Sequence, residues 1–271
     1  MVIKRKIRDI VYGFVGLDEQ ECEIIDHPHF QRLRRIRQLS MTDMVYPGAT
    51  HTRFEHSIGV MQMASDMFDR IVDSSFDAMS KVYSLEKDST YRIRKIIRLA
   101  ALLHDVGHAP FSHAGEDLMP VLPKTHPRFV KGSVKKYTHE DYSIAVIKEH
   151  FKKIIEGHKL NYNHGIKTED VTSLLGDKIV IEDMRAIILS LWKPLISSQL
   201  DADRADYLLR DSLHLGVNYG LYDRNRLINS LVLLILNLTH CSWPLKERVG
   251  ILLRALSMLA IKCFRKCTFI K

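Results

Sequence analysis

Apolar residues return every three or four positions along three early stretches of this chain. That period fits a helix with one buried face and does not fit the two-residue alternation of a strand. Phe30, Leu33, Ile36 and Leu39 recur at three-residue spacing. Ile58, Met61, Ala64, Phe68 and Ile71 form a second stripe, and Ile93, Ile96, Ile97, Ala100, Leu102 and Leu103 a third. Pro28, Pro47 with Gly48, and Pro110 punctuate them. Further helices are expected over 141–151, 181–191, 200–213 and 248–262. The segments 3–14 and 231–238 read instead as short strands able to pair as hairpins. Residues 119–136, with three prolines, and the polar stretch 157–167 read as loops. No repeat, low-complexity tract or domain boundary interrupts the 271 residues, so residues 1–271 are expected to form one helical domain with small β additions.

Composition narrows the setting. Hydrophobic content of 46% and charged content of 27% fit an ordinary soluble protein. The net charge of +8 favours polyanionic partners such as nucleotides, nucleic acid or anionic lipid, without choosing among them. Cys22, Cys241, Cys263 and Cys267 match neither a disulfide framework nor a zinc ribbon, which points to a reducing, cytoplasmic compartment. The opening MVIKRKIRDIVYG is basic but has no apolar core of a signal peptide. The longest apolar stretch, 227–238, is broken by Asn229, Ser230 and Asn237 and falls short of the roughly 20 residues that span a bilayer, so no membrane partner is expected.

The chemistry concentrates in three segments. In LLHDVGHAPFSH (102–113) an apolar helix ends at His104-Asp105, and Gly107 and Pro110 then turn the chain. Adjacent residues do not share a helix face, but at a helix end both can lean toward one ion, His through a neutral nitrogen and Asp through oxygen. The turn lets His108 and His113 return to the same cavity. Thr52-Arg53-Phe54-Glu55-His56 opens the second apolar stripe. In DADRADYLLRD (201–211), Arg204, Tyr207 and Asp211 fall at i, i+3 and i+7 and share a face that Asp203 borders. Taken singly, these segments also read as a histidine-rich capping loop and a solvated, salt-bridged helix.

Gln38-Leu39, TRFEHSIGV, HDVGHAPFSH, YTHE and DADRADYLLRD occur here in the order found in one enzyme family. Over residues 5–230 the chain resembles the HD-domain deoxynucleoside triphosphate triphosphohydrolases, the dGTPase-like family. The resemblance implies a mainly α HD-domain helical fold with small β-hairpin additions. It also implies a C-terminal part, about 240–271, that is divergent or truncated relative to the family. By motif, the metal ligands would be His56, His104, Asp105 and Asp203, with Asp201 competing for the last place because the segment is D-x-D. Such a mixed nitrogen–oxygen set suits a divalent transition metal (Fe, Mn or Zn), with Mg as an added ion on the nucleotide.

The other motif positions resemble substrate residues. His108, His113 and His139 would face the phosphates, and Arg204 and Tyr207 the triphosphate. Arg53 would hold phosphate or stack near the base. Gln38 and Asp211 would read the sugar 3′-hydroxyl, with Leu39 against the sugar or base. His113, with Glu116 one turn on, is the candidate for proton transfer with the leaving 5′-oxygen. The implied reaction converts a dNTP to deoxynucleoside and inorganic triphosphate. Its rivals are an HD phosphohydrolase or phosphodiesterase acting on another nucleotide, and a catalytically impaired nucleic-acid-binding homologue, for which no binding motif stands in the sequence. A homo-oligomer is compatible with all three.

Overall fold

The computed structural model describes residues 2–83, 86–126, 128–132, 134–176 and 184–231. The expected helix over 248–262 and all but the first residue of the expected strand over 231–238 lie outside the described residues. The chain opens with a hairpin, β1 (Arg5–Asp9) and β2 (Gly13–Leu17), antiparallel with Ile7 opposite Val15. Asp9 organises its turn: Oδ1 accepts from the backbone N–H of Val11 (2.8 Å) and Tyr12 (3.1 Å).

Ten helices follow among the described residues: α1 (Glu19–Asp26), α2 (Pro28–Gln31), α3 (Arg53–Tyr83), α4 (Lys87–Leu103), α5 (His139–Val146), α6 (Lys152–Gly157), α7 (Thr168–Leu174), α8 (Met184–Trp192), α9 (Ala202–Leu215) and α10 (Arg224–Asn229). The second and third stripes are the inner faces of α3 and α4: Ile58, Met61, Ala64, Phe68, Ile71, Ile93, Ile96, Ile97, Ala100, Leu102 and Leu103 are all buried. Each large aliphatic side chain of this kind contributes roughly 2 kcal/mol by leaving water. The helix α3 packs chiefly against α4 and α9, and those three helices carry the site.

The first stripe folds differently from a continuous helix. After one turn of α2 the chain tightens into a 3₁₀ turn, Arg32–Arg35, and leaves it at Ile36 in extended conformation. Spacing of three, without the intervening i+4 positions, is the period of a 3₁₀ helix, and such turns run only a few residues. Phe30, Leu33 and Ile36 are nonetheless buried, while Leu39 is half-exposed. Residues 119–136 form a loop closed by one bridge between Val121 and Lys136, and 157–167 hold a short 3₁₀ turn, Lys159–Asn161.

A buried ionic cluster fixes the hairpin and α1 to α3 and α4. Asp18 caps α1 by accepting from the N–H of Glu21 (2.9 Å), and Glu21 accepts from the N–H of Asp18 in return (3.1 Å). The same carboxylates receive α4: Lys95 donates to Asp18 (2.5 Å) and Glu21 (3.0 Å), and Arg98 grips Glu21 through Nε (2.7 Å) and Nη2 (2.8 Å). Arg98 also donates to Ser65 Oγ in α3 (2.8 Å) and to the Gly16 carbonyl in β2 (3.0 Å). No described helix is long and apolar enough to cross a membrane.

Candidate metal centre and its histidine cluster

His56 stands one turn into α3, His104 caps the C-terminus of α4, Asp105 follows it, and Asp203 lies in the first turn of α9. The donor atoms of His56, His104 and Asp203 all lie within 4.8 Å of one another. His56 Nε2 is 2.9 Å from Asp203 Oδ1 and 3.8 Å from Asp105 Oδ2; His104 Nε2 is 3.3 Å from Asp105 Oδ1.

Both imidazoles are turned so that Nε2 faces the carboxylates of the group. His104 Nδ1 meets the Ala101 carbonyl at 2.7 Å, and a carbonyl only accepts, so Nδ1 bears the proton. His56 Nδ1 donates in the same way to Asp206 Oδ2 at 2.7 Å. The two Nε2 atoms are buried and have no hydrogen-bond partner. The two nitrogens and the Asp203 carboxylate therefore form a group able to hold a divalent metal, with Asp105, bonded to Arg53, at its edge. Burial by itself would lower the His56 pKa; the Asp203 and Asp206 carboxylates outweigh it and lift it to about 10, so a divalent ion would take the place of the Nε2 proton. Burial likewise opposes ionisation of Asp105, but the Arg53 guanidinium, with His104, His108 and His56 around it, holds that carboxyl well below the usual range.

The two aspartates of the D-x-D segment sit differently. Asp201 is the N-cap of α9: Oδ1 accepts from the N–H of Arg204 and Oδ2 from that of Ser198, each at 2.8 Å. Both its oxygens are spent on backbone, and Asp203 alone of the pair faces the histidines.

Behind His56 runs a charge relay that sequence reading did not single out. The Asp206 carboxylate that receives His56 also receives Arg210 Nε and Nη2, both at 2.9 Å. Arg210 Nη1 reaches Asp9 Oδ2 in the hairpin turn at 2.8 Å. Asp206 and Arg210 are completely buried. A Cβ on Gly59 would come within 2.1 Å of Asp206 Oδ1 and 2.2 Å of Arg210 Nη2, so only glycine fits where α3 crosses α9. The i, i+3 step from Asp203 to Asp206 and the i, i+4 step to Arg210 were the available signals.

A second cluster adjoins the first. His108 stacks on His139 (3.9 Å between centroids, 12°) and meets His113 edge-on (4.9 Å, 85°). Glu116 Oε1 accepts from His139 Nδ1 (2.5 Å) and His113 Nδ1 (3.1 Å). His108 Nε2 lies 3.4 Å from Asp105 Oδ1 and links the clusters. Burial pushes the His108 pKa far down against the pull of Asp105, so this ring is neutral near pH 7. The loop reaches α5 because residue 107 has no side chain: a Cβ there would meet Ser143 N at 2.1 Å and the His139 carbonyl at 2.4 Å. From the other side Arg32 donates to the carbonyls of His108 (2.6 Å) and Val106. Phe111 and Ser112 both take left-handed backbone conformations (φ 68° and 57°), a costly arrangement that swings the chain toward His113.

The expected substrate residues are distributed unevenly. Arg53 is buried and committed to Asp105 and to Ser112 Oγ, which itself donates to the Gln38 carbonyl (3.0 Å). Gln38 and Asp211 are joined through His51, another residue the sequence did not flag: its carbonyl accepts from Gln38 N–H (3.0 Å) and its Nε2 bonds Asp211 Oδ1 (2.8 Å). Gln38 Oε1 is buried without a partner. Leu39 is half-exposed, as is Tyr207 on α9. Arg204 is exposed and donates to the Gln199 carbonyl (3.2 Å), so it is not drawn into either cluster.

Comparison with known proteins agrees with this architecture. The chain is 36% identical over 210 residues to a Dictyostelium discoideum protein named deoxynucleoside triphosphate triphosphohydrolase SAMHD1 homolog, covering 78% of this chain and 36% of that protein. It is 35% identical over 225 residues to the uncharacterized protein MJ1154 of Methanocaldococcus jannaschii, covering 83% and 37%. Among solved structures, a hypothetical protein from Aquifex aeolicus superposes with a TM-score of 0.62 at 31% identity, covering 86% of this chain and 52% of that one. A phosphohydrolase from Bacteroides thetaiotaomicron gives 0.58 at 29%, covering 85% and 48%. The chain thus spans just over a third of the length of these two curated relatives. The HD domain matches residues 53–211, from the first residue of α3 to Asp211 in α9, and encloses His56, His104, Asp105 and Asp203: the chain belongs to the HD domain family.

Proposed function

We propose that this protein is a metal-dependent phosphohydrolase that converts dNTPs to deoxynucleoside and inorganic triphosphate. The observation that carries the reading is the pairing of two clusters across Asp105: a nitrogen–oxygen group able to hold a metal, and a histidine–glutamate group able to move a proton. The name of the Dictyostelium relative favours the same substrate class.

In this reading His56, His104, Asp105 and Asp203 hold a divalent Fe, Mn or Zn ion. When bound, such an ion supplies Lewis acidity at a phosphoryl oxygen and lowers the pKa of water. Arg53, His108 and His139 stabilise charge on the phosphates, with Arg204 and Tyr207 engaging the outer ones and Mg accompanying the nucleotide. His113 delivers a proton to the departing 5′-oxygen, and Glu116 orients its ring through Nδ1. Gln38 and Asp211 read the 3′-hydroxyl, and Leu39 lies against the sugar. A partnerless Gln38 Oε1 suits an acceptor waiting for that hydroxyl.

Phosphorus NMR of the products tests the assignment. Attack at the α-phosphorus releases the three phosphates joined, so inorganic triphosphate is the expected first product, with dideoxynucleotides poor substrates. Orthophosphate or pyrophosphate appearing first, without triphosphate, would refute it.

A further inference from the structure

The group His108, His113, Glu116 and His139 exceeds what proton transfer requires. One histidine and one orienting carboxylate suffice for that task, yet three imidazoles converge here. One ligand atom from each of the four residues lies within 4.8 Å of all the others, the same closeness found in the His56 group. A tetrahedral ion with nitrogen and oxygen ligands at about 2.0–2.2 Å holds its ligands about 3.4 Å apart, so small side-chain rotations complete such a shell. Glu116 Oε1 already sits 3.1 Å and 2.5 Å from two of the nitrogens.

A second observation is independent of this spacing. His108 is completely buried, and neither of its ring nitrogens has a hydrogen-bond partner. Both polar atoms of a buried imidazole left unpaired are costly, and a ligand that accepts a lone pair relieves one of them. Carboxylates also lie at hand: Glu116 belongs to the group, and Asp105 Oδ1 is 3.4 Å from His108 Nε2.

We propose that His108, His113, Glu116 and His139 form a second cation site that takes a borderline-soft divalent ion such as Zn2+ and, when filled, shuts off hydrolysis. Three imidazoles and a carboxylate are a zinc-type donor set, whereas Mg2+ prefers oxygen. Binding rests on the geometry alone; the shut-off rests on the proton-transfer role of His113 proposed above. An imidazole coordinated through Nδ1 cannot also be held by Glu116 as the protonated acid, so the proton donor is lost while the ion is bound. The site makes excess zinc an inhibitor of an enzyme that uses a transition metal a few ångströms away.

Equilibrium dialysis of the purified protein against Zn2+ or Co2+, with metal counted per chain, tests the binding. Wild type takes up two equivalents. His113→Ala and Glu116→Gln each keep one, and Asp203→Ala also keeps one by losing the other ion. The His113 ring is 68% exposed, so its removal leaves the core intact. Co2+ adds an absorption band for a tetrahedral nitrogen–oxygen site that His113→Ala lacks and Asp203→Ala retains. Wild type saturating at one equivalent, or His113→Ala keeping two, overturns the proposal. In parallel, Zn2+ beyond the first equivalent lowers Mn2+-supported triphosphate release at least tenfold, and a chelator restores it. Two bound ions with no triphosphate under any metal leave the second site standing and sink the hydrolase reading. Triphosphate release with a single bound ion does the reverse, and release unchanged by a bound second ion refutes the shut-off.

Discussion

Asp206→Asn separates metal affinity from simple folding. The Asp206 carboxylate accepts the His56 Nδ1 proton at 2.7 Å and both Arg210 contacts at 2.9 Å, in a completely buried position. Asparagine keeps the shape and one acceptor oxygen but removes the charge, leaving Arg210 with Asp9 as its remaining close carboxylate. Removing one charged partner from a buried network costs about 3–5 kcal/mol, and the retained amide hydrogen bonding puts this case near the lower figure. For the metal, loss of the group that orients a ligating histidine weakens affinity about 10–100-fold, or roughly 1.4–2.7 kcal/mol. His104 keeps its own orientation through the Ala101 carbonyl, so binding weakens rather than vanishes. Competition against a chromophoric chelator reads the metal Kd, and urea unfolding at unchanged m-value reads stability. A folded Asp206→Asn protein with wild-type metal affinity would show that Asp206 does not set the His56 tautomer and would refute this account of the centre.

Two further outcomes follow from buried groups. Burial opposes ionisation of Glu21, yet Arg98 and Lys95 outweigh it and bring its pKa from 4.5 to about 2. Its contribution, about 3 kcal/mol, is complete above pH 4.5 and is lost as pH falls toward 2. Denaturant midpoints measured across that window should fall more steeply for wild type than for Glu21→Gln; parallel curves would remove Glu21 from the explanation of acid sensitivity. Gly59→Ala should destabilise by about 2 kcal/mol or more, although alanine is the better helix former, because the added methyl meets the Asp206–Arg210 pair. A variant as stable as wild type, with metal content intact, would show that α3 and α9 are not held at that separation.

The helical layout was legible in the sequence because it rests on local periodicity. The stripes of Ile58–Ile71 and Ile93–Leu103 bury the faces they announce, and His104-Asp105 stands at a helix end as the turn residues after it require. The motifs also named His56, His104 and Asp203, whose donor atoms the fold brings within 4.8 Å of one another. Tertiary structure decided the rest. Whether Asp201 or Asp203 faces the histidines depends on which one the Ser198 and Arg204 amides occupy. The short 3₁₀ passage of Arg32–Arg35 places Arg32 on the carbonyls of Val106 and His108, far along the chain. Asp206 and Arg210 stand in a helix that taken singly reads as solvated, and no motif marks Asp18, Glu21, Lys95 or Arg98, yet all six are buried. A charge is tolerated in the interior only when a partner is brought to it. Here the partners of the last four lie more than 70 residues away, and Asp206 meets His56 from 150 positions along the chain, distances over which no local pattern carries information.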